Sequence, residues 1–136
     1  MVRPEIQDWL EEAETDLKHA KDCLRLESYH WACFAAQQSA EKALKAFAMG
    51  FSRKRPSHVH DLTKLYIEAR NKLSLPSEVI ENLGELSSYY VLARYPNAGL
   101  TRPSIGISRT QAERAITIAG KVLEVIKDAF KSLRYG

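Results

Sequence analysis

The chain has 136 residues, 45% hydrophobic and 27% charged, with a formal net charge of +3. That length suits one domain with its own core, so residues 1–136 are read as a single domain. The slight positive excess argues against a duplex binder of the kind that concentrates many cations, and no run of about twenty apolar residues predicts a membrane span.

The first helix is predicted from Pro4 to Leu26. Ile6, Leu10, Ala13, Leu17, Ala20 and Leu24 form one apolar stripe at i, i+3, i+4 spacing. Pro4 suits a first turn, where its missing amide costs nothing. On the polar face, Glu14 and Lys18 are ordered for a favourable i, i+4 pair. Cys23 here and Cys33 in the next helix read as small buried hydrophobes of a reducing compartment. With no secretory signal in view, the expected location is cytoplasmic.

The second helix, Tyr29 to Met49, organises the chain. Ala32, Ala35, Ala36, Ser39, Ala40, Ala43 and Ala46 are small and recur at helical spacing, which lets neighbouring backbones approach closely. A helix apolar over most of its girth belongs at the centre of a domain. One side breaks this pattern with Gln37, Gln38, Glu41, Lys42 and Lys45, a strip that faces solvent, a partner or a site. Ser28 is the expected N-cap, and Gly50 the expected stop in the left-handed conformation.

Residues 51–58, FSRKRPSH, form a basic loop containing Pro56. A third, shorter helix runs from about Val59 to Leu73, with Leu62, Leu65, Tyr66, Ala69 and Leu73 inward. The preceding His58-Val59-His60-Asp61 contains metal-ligand types, but a metal centre needs three or four identifiable ligands. His60 or Asp61 is therefore expected to cap the third helix, and no metal site is assigned. Ser77 is expected to cap the fourth helix, which ends near Arg94 because Pro96 disfavours helical geometry at Tyr95. Its inner face is Val79 or Ile80, Leu83, Leu86 and Tyr90. Residues 96–107 make the longest loop. Ser108 and Gln111 then match the S-x-x-Q capping box, with Ile107 and Ala112 as its staple, and an apolar stripe continues to Leu133.

The predicted fold is all-α, an antiparallel up-and-down bundle of four long helices plus one shorter helix. If the five helices alternate in direction, the loops 51–58 and 94–107 fall at one end. Arg53, Lys54, Arg55, His58, His60, Arg94 and Arg102 would collect there, with Lys45 close by. Arginines bind phosphate oxygens bidentately, and a histidine beside them can move protons near neutral pH. No nucleophile elbow, phosphate-cradling glycine loop or H-E-x-x-H is present.

The helix carrying Trp9, the run Gln37–Ala46 (QQSAEKALKA), His60-Asp61-Leu62 and Tyr90…Ala93-Arg94-Tyr95-Pro96 together resemble the HEPN domain family over nearly the whole chain. The resemblance implies a helical bundle, usually a homodimer. It also implies a small prokaryotic protein paired with a separate minimal nucleotidyltransferase, as in toxin–antitoxin systems, with a nucleotide or RNA as ligand and no other cofactor. Carried over to this sequence, the family's positions are Gln38, Glu41, Lys42, Lys45, His60 and Arg94-Tyr95-Pro96. Ribonuclease members carry an arginine followed after four to six residues by a histidine, whereas no histidine follows Arg94 here. The expected function is therefore a non-catalytic nucleotide-, phosphate- or partner-binding module. The alternative is a metal-independent ribonuclease using Arg94 and His60. In the expected site, Arg94 and His60 are central, Lys42 and Lys45 form the wall, and Arg53, Lys54 and Arg55 steer from the rim. A structural alternative pairs Arg94 with Glu41 inside the bundle.

Overall fold

The computed structural model describes residues 2–55 and 57–135, with the side chains of residues 134 and 135 left aside. Pro56, assigned above to the basic loop, lies outside the described residues. Among the described residues six helices follow in order: α1 (Pro4–Arg25), α2 (Tyr29–Phe51), α3 (Leu62–Ala69), α4 (Ser77–Leu92), α5 (Pro103–Gly106) and α6 (Arg109–Tyr135). Among the described residues there is no strand. The bundle of four long helices plus a shorter one is thus observed, with a single extra turn, α5, inside the stretch read as loop.

Side-chain contacts fix the direction of each helix. Ser39 Oγ donates to the Ala13 carbonyl at 2.7 Å, and Arg3 Nη2 to the Met49 carbonyl at 3.1 Å, so α1 and α2 are antiparallel. Glu78 pairs with Lys121, and Glu85 takes both arms of Arg114 at 2.7 and 2.8 Å, so α4 and α6 are antiparallel. The Arg109 guanidinium lies over the Tyr29 ring, while Gly50 meets Phe130, so α2 and α6 run parallel.

That last relation corrects the expected directions. The second upward pass is not α3 but the stretch between Phe51 and Leu62, whose described residues 52–55 and 57–61 are non-helical and which climbs back along α2 until the His60 carbonyl accepts from Gln37 Nε2 at 3.1 Å. From there α3 descends, and Lys72 Nζ reaches the Phe51 carbonyl at 2.8 Å. The loop after α2 and the loop after α4 therefore sit at opposite ends.

The helix ends follow their local chemistry. Asp61 caps α3 by accepting from the Thr63 and Lys64 amides. At α6, Ser108 Oγ accepts from the Gln111 amide at 3.2 Å and Gln111 Oε1 from the Ser108 amide at 2.9 Å, the reciprocal pattern expected. Two expected caps differ. Ser28 sits at the N-cap of α2 without a side-chain bond, and Pro76, not Ser77, precedes α4.

Gly50 does not stop α2. It is helical, and the left-handed residue is Arg53, at φ +52°. The glycine serves packing instead: a Cβ there would lie 2.5 Å from Phe130 Cε1. Phe130 packs at a tilt against Phe51, which stacks on Phe47, closing the core at that end. The core runs along α2, where Ala32, Cys33, Ala36, Ala40, Ala43, Leu44, Ala46 and Phe47 are 0–1% exposed. On α4, Tyr89 is buried and Tyr90 only partly so, the reverse of the expected inward Tyr90.

Candidate functional site

Most of the polar strip of α2 is turned into the bundle: Gln37, Glu41 and Lys45 are buried, and Gln38 and Lys42 partly so. Glu41, 5% exposed, lies at the centre of a closed network. Its Oε2 accepts from Lys45 Nζ at 2.9 Å, and its Oε1 from Gln37 Nε2 at 3.1 Å and from His60 Nδ1 at 3.0 Å. Gln38 Nε2 donates to Gln37 Oε1 at 2.7 Å. The climbing segment 52–61 thus brings His60 against the strip, and a buried carboxylate is matched by one ammonium and two further donors. Lys42 points the other way and pairs with Asp16 of α1 at 2.7 Å.

Tyr90 joins this network to Arg94. The His60 ring stacks on the Tyr90 ring with centroids 4.0 Å apart and planes 12° from parallel. The Arg94 guanidinium carbon lies 4.4 Å from the Tyr90 centroid, 4.7 Å from Phe34 and 4.9 Å from Tyr95. Arg94 Nε donates to the Tyr90 carbonyl at 2.6 Å. Among the described residues its Nη1 and Nη2 make no hydrogen bond or ion pair. Three rings and one hydrogen bond therefore hold a cation whose fork is open, and such contacts favour a positive charge over an aromatic face.

Arg94 also lines a shallow cleft of about 250 Å³ with His30, Trp31, Arg102 and Pro103. Trp31 is 44% exposed and meets Phe34 edge to face. Partial burial lowers the His30 pKa below the ordinary histidine value, which favours its neutral form. The cleft offers two arginines for an anion and an exposed indole for a flat ring.

The sequence-predicted site residues thus divide into three groups. His60, Arg94 and Tyr95 gather around Tyr90 and Phe34 near the top of α2. Lys42 and Lys45 are held in ion pairs with Asp16 and Glu41, and neither lines the cleft with Arg94. Arg53 and Arg55 lie with Arg3 beside Gly50, at the other end of the bundle. From Phe34 to Gly50 is sixteen residues of α2, about 24 Å at 1.5 Å per residue. The expected clustering of all these cations at one end is therefore wrong, because α3 is not the upward pass. The proposed Arg94–Glu41 pair is also absent, since Lys45 and His60 occupy that carboxylate. The sequence reading missed Tyr90, Phe34 and Trp31 as site residues. The signal available was spacing: Tyr90 lies four residues before Arg94, on the same helical face.

Among the described residues no three His, Cys, Asp or Glu side chains gather as metal ligands, and no helix is long and apolar enough to cross a membrane. The HEPN domain family model matches residues 6–129. The protein named "Putative toxin MJ1304" from Methanocaldococcus jannaschii is 32% identical over 137 residues, spanning 94% of this chain and 89% of its own length. Among solved structures, TT1696 from Thermus thermophilus has a TM-score of 0.82 at 35% identity, over 93% of this chain and 98% of its own. ST0689, an archaeal HEPN homologue, has a TM-score of 0.74 at 26% identity, over 91% and 96%.

Proposed function

The chain belongs to the HEPN domain family, and on that footing we propose that it is a non-catalytic binding module of a toxin–antitoxin-type pair, taking the phosphate of a nucleotide or RNA at the Arg94 cleft. The observation that carries this reading is the Arg94 guanidinium, fixed by Phe34, Tyr90 and Tyr95 with its two terminal nitrogens open beside Arg102. A preorganised arginine fork matches phosphate geometry. The toxin-type context is supported by the name of the Methanocaldococcus relative. The companion is a separate minimal nucleotidyltransferase, as the family resemblance implies. The working form is a homodimer, a reading supported by the large apolar side chains left exposed at Trp31, Val91, Tyr95 and Ile105, since exposed apolar surface is what interfaces cover.

One preparation tests these statements. Arg94→Ala should weaken binding of nucleoside monophosphate or short single-stranded RNA by about tenfold or more, the loss of one charge-assisted contact. Its stability should fall by only about 1 kcal/mol, the scale of an exposed cation–π contact. Unchanged binding would remove Arg94 from the site, and a monomer mass in light scattering at micromolar concentration would remove the dimer.

A second reading is favoured by the Glu41–His60 contact. A carboxylate on Nδ1 orients an imidazole and leaves Nε2 for proton transfer, and the His60 side chain is 42% exposed. In that reading the protein is a metal-independent ribonuclease, with His60 moving the proton and Arg94 holding the phosphate. Cleavage of RNA in EDTA, abolished by both His60→Ala and Arg94→Ala, would establish it over the binding module.

A further inference from the structure

The cations that do not reach Arg94 form a cup of their own. Arg3, Arg53, Lys54 and Arg55 line a concavity of about 510 Å³ beside Gly50, with Glu5 as its one carboxylate. Glu5 is already paired with Arg3 Nη1 at 3.2 Å. Among the described residues Arg53, Lys54 and Arg55 have no ion pair, and all three side chains are exposed. The cup is therefore strongly positive and uncompensated, a field that attracts and retains an anionic partner.

The cup also offers acceptors. It is built on the C-terminal end of α2, where carbonyls lack intrahelical partners and carry partial negative charge. Arg3 satisfies the Met49 carbonyl and Lys72 that of Phe51. The Ala48 carbonyl takes the Ser52 and Lys54 amides, while that of Gly50 accepts nothing among the described residues. A ligand suited to this surface brings carboxylates for the arginines and N–H donors for the helix end. A phosphodiester backbone has the charge but no N–H donor, only the ribose hydroxyl of RNA, and the cup's lining presents no aromatic face for a base. The rings of α2 and α6 near it are engaged with each other, Phe51 stacked on Phe47 and tilted against Phe130.

We propose that this cup is a second binding site, about 24 Å along α2 from the Arg94 cleft, and that it docks an acidic peptide segment of a partner protein. Carboxylates pair bidentately with Arg53 and Arg55, and Arg3 is held in place by Met49. The site does not depend on the reading given for Arg94.

The test uses the full chain and a short fluorescein-labelled oligoglutamate, read by fluorescence anisotropy at low salt. A single-stranded RNA of equal charge is the competitor. The expected result is saturable peptide binding that weakens with added salt and by about tenfold or more in Arg53→Glu/Arg55→Glu, while Arg94→Ala leaves it unchanged. The exposed positions predict an unaltered melting temperature. Should the reversal melt early, Arg53→Gln/Arg55→Gln carries the same comparison. The proposal is overturned if oligoglutamate does not bind, or if binding ignores both substitutions. It is also overturned if the RNA displaces the peptide and binds more tightly with the same dependence on Arg53 and Arg55, which would make the cup a phosphate site.

Discussion

Glu41 shows how much one residue can hold. It is buried with Lys45, and its carboxylate accepts from Lys45, Gln37 and His60. Removing one member of a buried pair leaves an uncompensated charge, which costs about 3–5 kcal/mol. Glu41→Ala should lose about that much in urea unfolding. Lys45→Met should lose clearly less, because the carboxylate keeps two donors and methionine fills the same space. Equal losses would mean the network is not centred on Glu41. The sequence displayed the polar strip but not its target, because helical spacing says which residues share a side and not what faces them. A second residue sets an alkaline limit. Burial pushes the Cys33 thiol up to about 12 from its ordinary 9.0, and Tyr89 beside it is raised by the same cause. Between those pH values the unfolded chain has lost a proton that the folded chain keeps. Stability should therefore be complete below about pH 9 and fall as pH rises, approaching about 1.4 kcal/mol per unit from Cys33. Urea midpoints from pH 8 to 11 should show this slope, and Cys33→Ala should flatten it.

At the scale of elements, the long helices were legible and one connection was not. Apolar stripes located α1, α2, α4 and α6 within a few residues, since each must bury one face along its whole length. The capping box at Ser108 fixed the start of α6 because its two side chains satisfy otherwise orphaned amides. Ser108→Ala should cost about 1 kcal/mol and speed hydrogen exchange in the first turn of α6 ahead of its middle. Uniform protection would mean the cap is redundant. The segment 52–61 gave no such signal. Its described residues, 52–55 and 57–61, are irregular, and the left-handed one among them is Arg53 rather than a glycine. Ten extended residues reach up to about 33 Å, more than the roughly 21 Å of helix from Phe51 back to Gln37, so it can replace a helix as an upward pass. Reading it as a simple turn reversed the expected direction of everything after it.

For the whole molecule, a net charge of +3 conceals two separate basic regions. Arg94 and Arg102 share one cleft, and Arg3, Arg53, Lys54 and Arg55 share another. Composition cannot show that division, and only the parallel course of α2 and α6 reveals it. The same parallel course bears on the order in which the chain assembles. The α1–α2 hairpin closes across three residues, 26–28, whereas Gly50 and Phe130 meet across eighty residues of sequence. Short loops close first, and distant pairings must wait for them. The notch at Gly50 is thus an event of the descent from the transition state. Gly50→Ala, which overfills it at a cost of about 1–3 kcal/mol, should steepen the loss of the native state by raising the unfolding rate while leaving the refolding rate nearly unchanged. Stopped-flow chevrons would show this, and Phe130→Leu in the same chain should bring the unfolding rate back down. A slowed refolding arm would instead place the seating of α6 before the barrier.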